Sequence, residues 1–347
     1  MEARTFLKQY ECQMSVAWNE KRRNWPAIGS VPRGEYLFPD TVEEDLQAWW
    51  RHLIDSNINW HTVKANWAAT RRCIKLLMDA GLNYEAYAVD RDDIIFLRED
   101  GFAGLSPDTV KWYIMLFGRY LKFNGNSVID GMDLHWQNSD VHPGKDWLER
   151  EQAAVLMACD GYTVHERTAL VLMLTMGLRR IEVLRLRVDG ITDDGVIVCG
   201  KGHGGGKYRF VPYSKGARLQ IQEMLRWREM QISDERDLDP DYEPDPELFL
   251  TQTRHPHHYN EAGTGFDKSI LRGIRDKSGV EFSNHTLRRT FARLTYFENP
   301  TERTLEILAS ILGHEDTKVT LRYIGVSEDE KSDVMLSQSW FRSPQRS

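Results

Sequence analysis

A histidine and a tyrosine near the carboxyl end of the chain have side chains that could carry out a reaction. His314 and Tyr323 stand nine residues apart in the stretch LGHEDTKVTLRYIGV. On one unbroken helix, nine residues turn through about 900°, which places the two side chains on opposite faces. Gly313 precedes the histidine, and glycine commonly ends a helix. The two side chains can therefore act together only if the chain bends between them.

An arginine and a lysine in the middle of the chain could bind a phosphate. In GLRRIEVLRLR, Arg179 follows a long apolar helix that ends at Gly177, where its guanidinium could hold a phosphate with two hydrogen bonds. The alternative is an ordinary ion pair with Glu182, three residues on. In GKGHGGGKYRFVPY (200–213), Lys201 stands at the base of a predicted glycine-tipped hairpin. The spacing excludes a P-loop, and a solvated surface lysine is the alternative.

Two histidine-containing stretches differ in what they predict. HTLRRTFARL places His285 and Arg288 three residues apart, on one face of a predicted helix. A helix cap or a surface ion pair is the alternative for that pair. The run HPHHY (255–259) holds a proline and has no cysteine nearby and no acid at ligand spacing. We therefore expect a polar loop there and no metal site.

The charge of the chain is unevenly distributed. The formal net charge is −7, but residues 234–247 hold eight acids and one arginine, so the remainder is close to neutral. Residues 171–215 hold eight Lys/Arg against four acids, which favours a local basic surface. No apolar run is long enough to span a bilayer, the N-terminus lacks the apolar core of a signal peptide, and the four cysteines are scattered. These features predict a cytoplasmic protein that does not bind membranes.

The periodicity of apolar residues divides the chain into predicted regions. Residues 1–40 have weak periodicity and are predicted to be an N-terminal extension. A helical domain is predicted over 41–125, and the turn-rich stretch 126–145 is predicted to be a linker. The second domain covers 146–347, with a C-terminal tail at 327–347. Both domains are long enough to have cores of their own.

Several helix and strand ends can be predicted from local signals. Thr41 and Glu44 could form a capping box at the first helix of the helical domain. Ser106–Pro107 suits the N-cap and first residue of a later helix. In the second domain, the turn signal DDG (193–195) predicts two or three antiparallel strands. The acidic stretch 234–247 is predicted to be a loop between helices.

The order of the reactive residues resembles the tyrosine recombinase family, the phage-type integrases, which includes Xer-like members. GLRRIE resembles the family's first arginine box, and GKG followed by a K-x-R-x-VP strand resembles its hairpin lysine. HTLRRTF is similar to the H-x-L-R box, and LGHEDTKVTLRY to the LGH…Y box. The resemblance covers 146–326 and extends more weakly to 41–125, which looks like the family's core-binding domain. Arg289, where many members have histidine, and the acidic loop depart from the family pattern.

The resemblance implies a fold and a mechanism. The expected fold is a two-domain clamp, with an all-helical N-terminal domain and a mainly α catalytic domain that contains a small antiparallel β-hairpin. Tyr323 would attack a DNA phosphate to give a 3′-phosphotyrosyl bond, with His285 assisting the proton transfer and Lys201 protonating the leaving oxygen. The charge on the phosphate would be neutralised by Arg179, Arg288 and His314.

The resemblance also implies partners and leaves alternatives open. It implies no metal, no nucleotide and no other cofactor. The partner would be double-stranded DNA. The protein would be a monomer or dimer when free and would form a tetramer on two DNA duplexes. It would be nucleoid-associated or encoded by a virus or plasmid. The tail, with Ser327 and Glu330 as a capping box, would dock on a neighbouring protomer or pack on its own. A type IB topoisomerase and a catalytically silent DNA-binding protein are the alternatives.

Overall fold

The computed structural model describes seven stretches of the chain, which are residues 3–23, 38–56, 58, 60–134, 146–200, 206–259 and 263–325. Lys201 and the tail at 327–347 lie outside these residues. The chain forms two compact units. The C-terminal unit comprises the described residues of Met1–Glu11, Pro143–Gly200 and Lys207–Ser347, and the N-terminal unit those of Cys12–His142 and Lys201–Gly206. The domain boundaries expected from the sequence stay predictions.

Helices are the only regular elements among the described residues of the N-terminal unit. Its interior is apolar and aromatic, with Trp50, Phe117 and Tyr120 almost fully buried. The helices are α1 (Ala3–Arg23), which the two units share, α2 (Asp40–Asp55), α3 (Trp60–Asp79), α4 (Arg91–Phe96) with a π-helical turn at Leu97–Gly101, α5 (Pro107–Phe123) and a 3₁₀ turn at Val128–Gly131.

Two predicted helix starts have different outcomes. Ser106 is the N-cap of α5 and accepts a hydrogen bond from the Thr109 N–H, with proline at the first helical position, which confirms the prediction. The capping box of Thr41 with Glu44 is wrong. Helix α2 already begins at Asp40, after an N-cap proline whose side chain has no oxygen to accept a bond. Thr41 is therefore inside the first turn and cannot cap it.

The C-terminal unit combines helices with one antiparallel hairpin. Its elements are α6 (Arg150–Ala158), α7 (Val164–Leu170) with a π-helical turn at Val171–Thr175, α8 (Arg180–Leu184), a 3₁₀ turn at Val188–Gly190, β1 (Gly195–Cys199), β2 (Tyr208–Pro212), α9 (Ala217–Leu238), α10 (Thr264–Phe266), a π-helical turn at Asp267–Leu271, α11 (Arg272–Ser278), α12 (Asn284–Glu298), α13 (Glu302–Leu312) and α14 (Thr317–Ile324). The described residues contain one two-stranded sheet, so the mainly α fold with a small antiparallel hairpin is confirmed. No helix among them is long and apolar enough to cross a membrane.

The helix that precedes Arg179 forms the centre of the C-terminal unit. Leu170, Leu172 and Met173 are fully buried in α7 and its π-helical turn, which pack against α9 and α12. The chain then reverses at Gly177, whose φ is +67°. A Cβ there would lie 2.3 Å from Cδ1 of Phe291. Only glycine allows the chain to turn this tightly against α12.

The acidic stretch 234–247 is not a loop throughout. Its first five residues form the end of α9, which continues to Leu238, because Ile232 remains buried in this part of the helix. Arg228 is also buried, and its Nε donates to the Glu247 carbonyl at 3.2 Å. The predicted loop boundary was therefore wrong by more than one helical turn, since a run of charges does not itself end a helix.

The first turns of α1 pack on the hairpin within the C-terminal unit. Tyr10 is buried, and its hydroxyl donates to Asp189 Oδ1 at 3.0 Å. Its ring lies edge-on against Tyr208 of β2, with 5.7 Å between centroids. The segment expected to be an extension thus begins with a helix that contributes to the packing of this unit.

Candidate active site

A buried carboxylate lies among three arginines in the C-terminal unit. Glu182 of α8 is fully buried. Arg209 of β2 donates from Nη1 and Nη2 to its two oxygens at 2.7 and 2.8 Å. Arg179 donates from Nη1 to Oε1 at 2.8 Å and from its backbone N–H to Oε2 at 2.8 Å. Nη1 of Arg288 lies 3.6 Å from Oε2. One carboxylate therefore fixes the positions of three guanidinium groups.

The same three arginines contact the last carbonyls of α13. Arg209 Nε donates to Ile311 O at 2.7 Å. Arg179 Nη1 donates to Leu312 O at 3.2 Å, and Arg288 Nη2 donates to that same oxygen. Carbonyls at a helix C-terminus have no partner within the helix and carry partial negative charge. The end of α13 is therefore the second anchor for the arginines.

Charge and burial set the ionisation of this cluster. Burial raises the pKa of Glu182, but the hydrogen bonds and charges of Arg209, with those of Arg288 and Arg179, outweigh it and lower the pKa to about 2. Burial lowers the pKa of Arg288 to about 9, with Glu182 opposing the change. Both groups are therefore charged at neutral pH. Arg288 is 1% exposed, so its guanidinium is a buried positive charge with almost no contact with solvent.

The chain bends between His314 and Tyr323, as their joint action requires. Helix α13 ends at Gly313, whose φ is +66°, and the His314 N–H donates to Ala309 O at 2.9 Å. The imidazole and phenol rings lie 4.9 Å apart between centroids. His314 lies in the turn between two helices, because α13 ends before it and α14 begins only at Thr317.

Two partners hold the imidazole ring of His314. Its Nδ1 lies 2.9 Å from Oγ1 of Thr320, and its Nε2 lies 3.4 Å from Nη2 of Arg288. Burial, followed by the positive charges of Arg288, Arg179 and Arg209, lowers the pKa of His314 to about 4. The ring is therefore neutral at physiological pH in the free protein.

The structure brings four of the six predicted site residues together, namely Arg179, Arg288, His314 and Tyr323. The Arg288 guanidinium carbon lies 5.8 Å from the centroid of the Tyr323 ring. His285 is exposed in the first turn of α12, one turn before Arg288 on the same helix. Lys201 lies outside the described residues.

Sequence reasoning missed two residues of this cluster. Arg209 lies in the quoted K-x-R-x-VP stretch, but only the lysine was assigned a role. Thr320 stands three residues before Tyr323, which places both on one face of α14. Spacing along the helix was therefore a signal for Thr320. Arg209 had no comparable local signal, because its partners lie 27 and 102 residues away.

The histidine run at 255–259 has acids near it after all. Asp245, Glu247 and His258 each place one potential ligand atom within 4.8 Å of the others. The expectation that no acid lies at ligand spacing is therefore wrong, because the chain folds back on itself there. His258 Nδ1 lies 2.8 Å from Asp245 Oδ2, and buried Arg228 binds the Asp245 and Glu247 carbonyls. The His258–Asp245 hydrogen bond and the Arg228 contacts therefore hold this fold of the chain together.

A pocket of about 590 Å³ lies elsewhere in the C-terminal unit. Its walls come from α1, from the turn before β1, from β2 and from α9, and they include Phe6, Asp194, Phe210 and Arg218. None of the five predicted site residues that the structure describes lines it. The candidate active site is instead the cluster of arginines, histidine and tyrosine around the end of α13.

Solved structures of recombinases share this fold. The XerH site-specific recombinase bound to a palindromic difH substrate is 16% identical, covers 93% of this chain and 95% of its own, and has a TM-score of 0.58. A lambda integrase dimer (residues 75–356) bound to a COC′ core site is 13% identical, covers 88% and 99%, and has a TM-score of 0.57. The Tn1549 transposon integrase with circular intermediate DNA is 16% identical, covers 85% and 99%, and has a TM-score of 0.57. No curated protein sequence matches the chain.

A family model matches the sequence well beyond the four motifs. Residues 146–330, more than half of the chain, match the phage integrase family. The match contains every residue of the cluster around Glu182 and the end of α13. Together with the fold, it shows that the chain is a tyrosine-type site-specific recombinase and does not favour the topoisomerase alternative. The chain therefore belongs to the phage integrase family.

Proposed function

We propose that the protein binds double-stranded DNA and that Tyr323 is its nucleophile. The Tyr323 oxygen forms a bond to the scissile phosphorus while the bond from phosphorus to the 5′ oxygen breaks. The phenol proton passes to His285, and Lys201 gives a proton to the departing 5′ oxygen. The products are a 3′-phosphotyrosyl bond and a free 5′-hydroxyl, which can attack a second phosphotyrosyl bond and rejoin the strands.

The observation that carries this proposal is the convergence of Tyr323 and His314 with the three arginines that surround Glu182. Three guanidinium groups and one carboxylate leave a net of two positive charges beside the tyrosine. A phosphodiester gains negative charge as the nucleophile attacks, so a fixed positive site stabilises the transition state more than the ground state. Arginines then supply the charge stabilisation that Mg²⁺ supplies in other phosphoryl-transfer enzymes.

Arg179, Arg288 and His314 have different parts in this scheme. Arg179 keeps 23% of its side chain exposed, and its Nε and Nη2 have no partner among the described residues, so it can bind a phosphate oxygen directly. Arg288 is buried, and carbonyls occupy its two terminal nitrogens. It stabilises the phosphate through its charge and by holding Arg179 and His314 in place. His314 donates a hydrogen bond to the second non-bridging oxygen.

The same proposal extends to the DNA and to the assembly. XerH, lambda integrase and the Tn1549 integrase were each solved with DNA, and residues 171–215 of this chain are rich in lysine and arginine. We assign DNA contacts to this basic region and to the helical domain at 41–125. Strand exchange between two duplexes needs four cleavages, which supports a tetramer with one Tyr323 at each cut. The tail at 327–347 would dock on a neighbouring protomer.

A covalent trapping assay tests the nucleophile. The protein is mixed in EDTA with duplex fragments of the replicon that encodes it, denatured, and separated on a gel. The variants are Tyr323→Phe and, as a matched control, Tyr296→Phe, a tyrosine that packs in the same small cluster. We expect a protein–DNA adduct from the wild type and from Tyr296→Phe, and none from Tyr323→Phe.

Three results would contradict the proposal. An adduct that persists in Tyr323→Phe would assign the nucleophile to another residue. A wild type that binds the fragments in a salt-dependent manner but forms no adduct with any of them would be a silent DNA-binding protein. An adduct that requires a divalent cation would contradict the proposed use of arginines in place of a metal.

A further inference from the structure

The Thr320 hydroxyl has an orientation that packing alone does not require. Thr320 is fully buried in α14. Three other helical threonines of the C-terminal unit bond back to the carbonyl four residues earlier, and these are Thr168, Thr175 and Thr290. Within the described residues, the Thr320 hydroxyl has only His314 Nδ1 as its partner, at 2.9 Å. It is therefore directed at the ring that faces Tyr323.

The two contacts of His314 constrain where its proton sits. A guanidinium can only donate hydrogen bonds, so the 3.4 Å contact from Arg288 Nη2 is a hydrogen bond when Nε2 is unprotonated. A neutral imidazole then carries its proton on Nδ1 and donates it to the Thr320 oxygen. A hydrogen bond from His314 to a DNA phosphate requires the opposite arrangement, with the proton on Nε2.

We propose that Thr320 is a positioning residue that holds the His314 ring and allows its proton to move from Nδ1 to Nε2 when a DNA phosphate binds. A hydroxyl can accept a hydrogen bond from Nδ1–H or donate one to unprotonated Nδ1, so it serves both tautomers. The protonation of the ring does not change overall, because Nδ1 releases a proton to water and Nε2 takes one up. This inference rests on the proposed role of His314 at the phosphate.

Three variants separate this role from simple packing. Thr320→Val keeps the shape and removes the hydroxyl, and Thr320→Ser keeps the hydroxyl. Thr168→Val is the matched control, since it removes a buried hydroxyl that bonds a carbonyl in α7 of the same unit. We expect both valine variants to lower the midpoint of thermal unfolding, and only Thr320→Val to alter His314 and DNA cleavage.

The first readout is the tautomer of His314 in the free full-length protein. Nitrogen-15 NMR of the labelled imidazole distinguishes Nδ1–H from Nε2–H, and His314→Gln identifies the signal. We expect Nδ1–H in the wild type and in Thr320→Ser, and a loss of this pattern in Thr320→Val. An unchanged pattern in Thr320→Val, or Nε2–H in the free wild type, would overturn the proposal.

The second readout is the rate of adduct formation at saturating DNA, on the fragment that traps the wild type. Because one preorganised donor contributes about 10²–10³ in rate, a mispositioned His314 should slow Thr320→Val by about 10–100-fold with unchanged DNA affinity. Thr320→Ser should recover most of the rate. A folded Thr320→Val with the wild-type rate would refute the inference. If the wild type forms no adduct, the proposed function fails instead, and the nitrogen spectra still decide whether Thr320 controls the tautomer.

Discussion

Replacing Glu182 with glutamine should destabilise the C-terminal unit in a manner that depends on pH. The carboxylate is fully buried, and Arg209 donates to both of its oxygens at 2.7 and 2.8 Å. These contacts lower its pKa from 4.5 to about 2, although burial acts in the opposite direction. At about 1.4 kcal/mol per pKa unit, this difference corresponds to about 3 kcal/mol of stability at pH 7.

The dependence on pH has a definite sign. A carboxyl group whose pKa is lower in the folded state stabilises the fold fully above its unfolded pKa and loses that contribution as the pH falls through its folded pKa. The contribution of Glu182 is therefore complete above about pH 4.5 and is lost between there and about pH 2. Glutamine has the same size and no charge, so it leaves the three arginines without their shared anion at every pH.

Urea unfolding measures this effect directly. We expect the free energy of unfolding of Glu182→Gln to lie about 3 kcal/mol below that of the wild type at pH 7. This difference between the two proteins should narrow gradually as the pH is lowered from about 5 to about 3. Glu223→Gln, at an exposed position of α9, is the control and should match the wild type throughout. The reasoning fails if Glu182→Gln unfolds like the wild type at pH 7, or if the gap remains constant as the pH falls.

Three further predictions concern single side chains. Gly177→Ala should destabilise the protein by more than about 2 kcal/mol, because its Cβ would lie 2.3 Å from Cδ1 of Phe291. Gly81 has a φ of +68° but no atom within 4 Å of a Cβ, so Gly81→Ala should cost only about 1–2 kcal/mol for its left-handed backbone. Thermal unfolding distinguishes the two variants. In an NMR titration, His314 should stay neutral down to about pH 4, held there by burial and by the arginine charges despite Glu182. Tyr10→Phe should lower the free energy of unfolding by about 1 kcal/mol, since it removes the half-buried hydrogen bond from α1 to the 3₁₀ turn before β1.

Local sequence signals predicted the parts of the site that lie within one element or at its end. Gly313 was expected to end a helix, and its left-handed conformation does so. Arg179 follows a buried helix, and His314 and Tyr323 are separated by a bend, as their spacing required. These features depend on residues within about ten positions of each other, where helical periodicity and turn chemistry are informative.

Contacts between distant elements could not be predicted in the same way. Arg209 is on β2, and its partners are on α8 and at the end of α13. The packing of Tyr10 on Tyr208 joins residues almost 200 positions apart. No period or motif links such positions in a single sequence. The predicted capping box at Thr41 was wrong for a related reason. A residue that can cap a helix does not determine at which residue the helix begins.

Glu182 explains why the arginines can gather at the end of α13 at all. Three guanidinium groups at this spacing repel one another, and taking them out of water costs several kcal/mol for each ion. The carboxylate and the helix carbonyls offset these costs before any DNA is present. Arg179 binds this carboxylate through Nη1 and its backbone N–H, and its Nε and Nη2 have no partner among the described residues. These contacts therefore hold the arginines of the proposed phosphate site in place in the free protein.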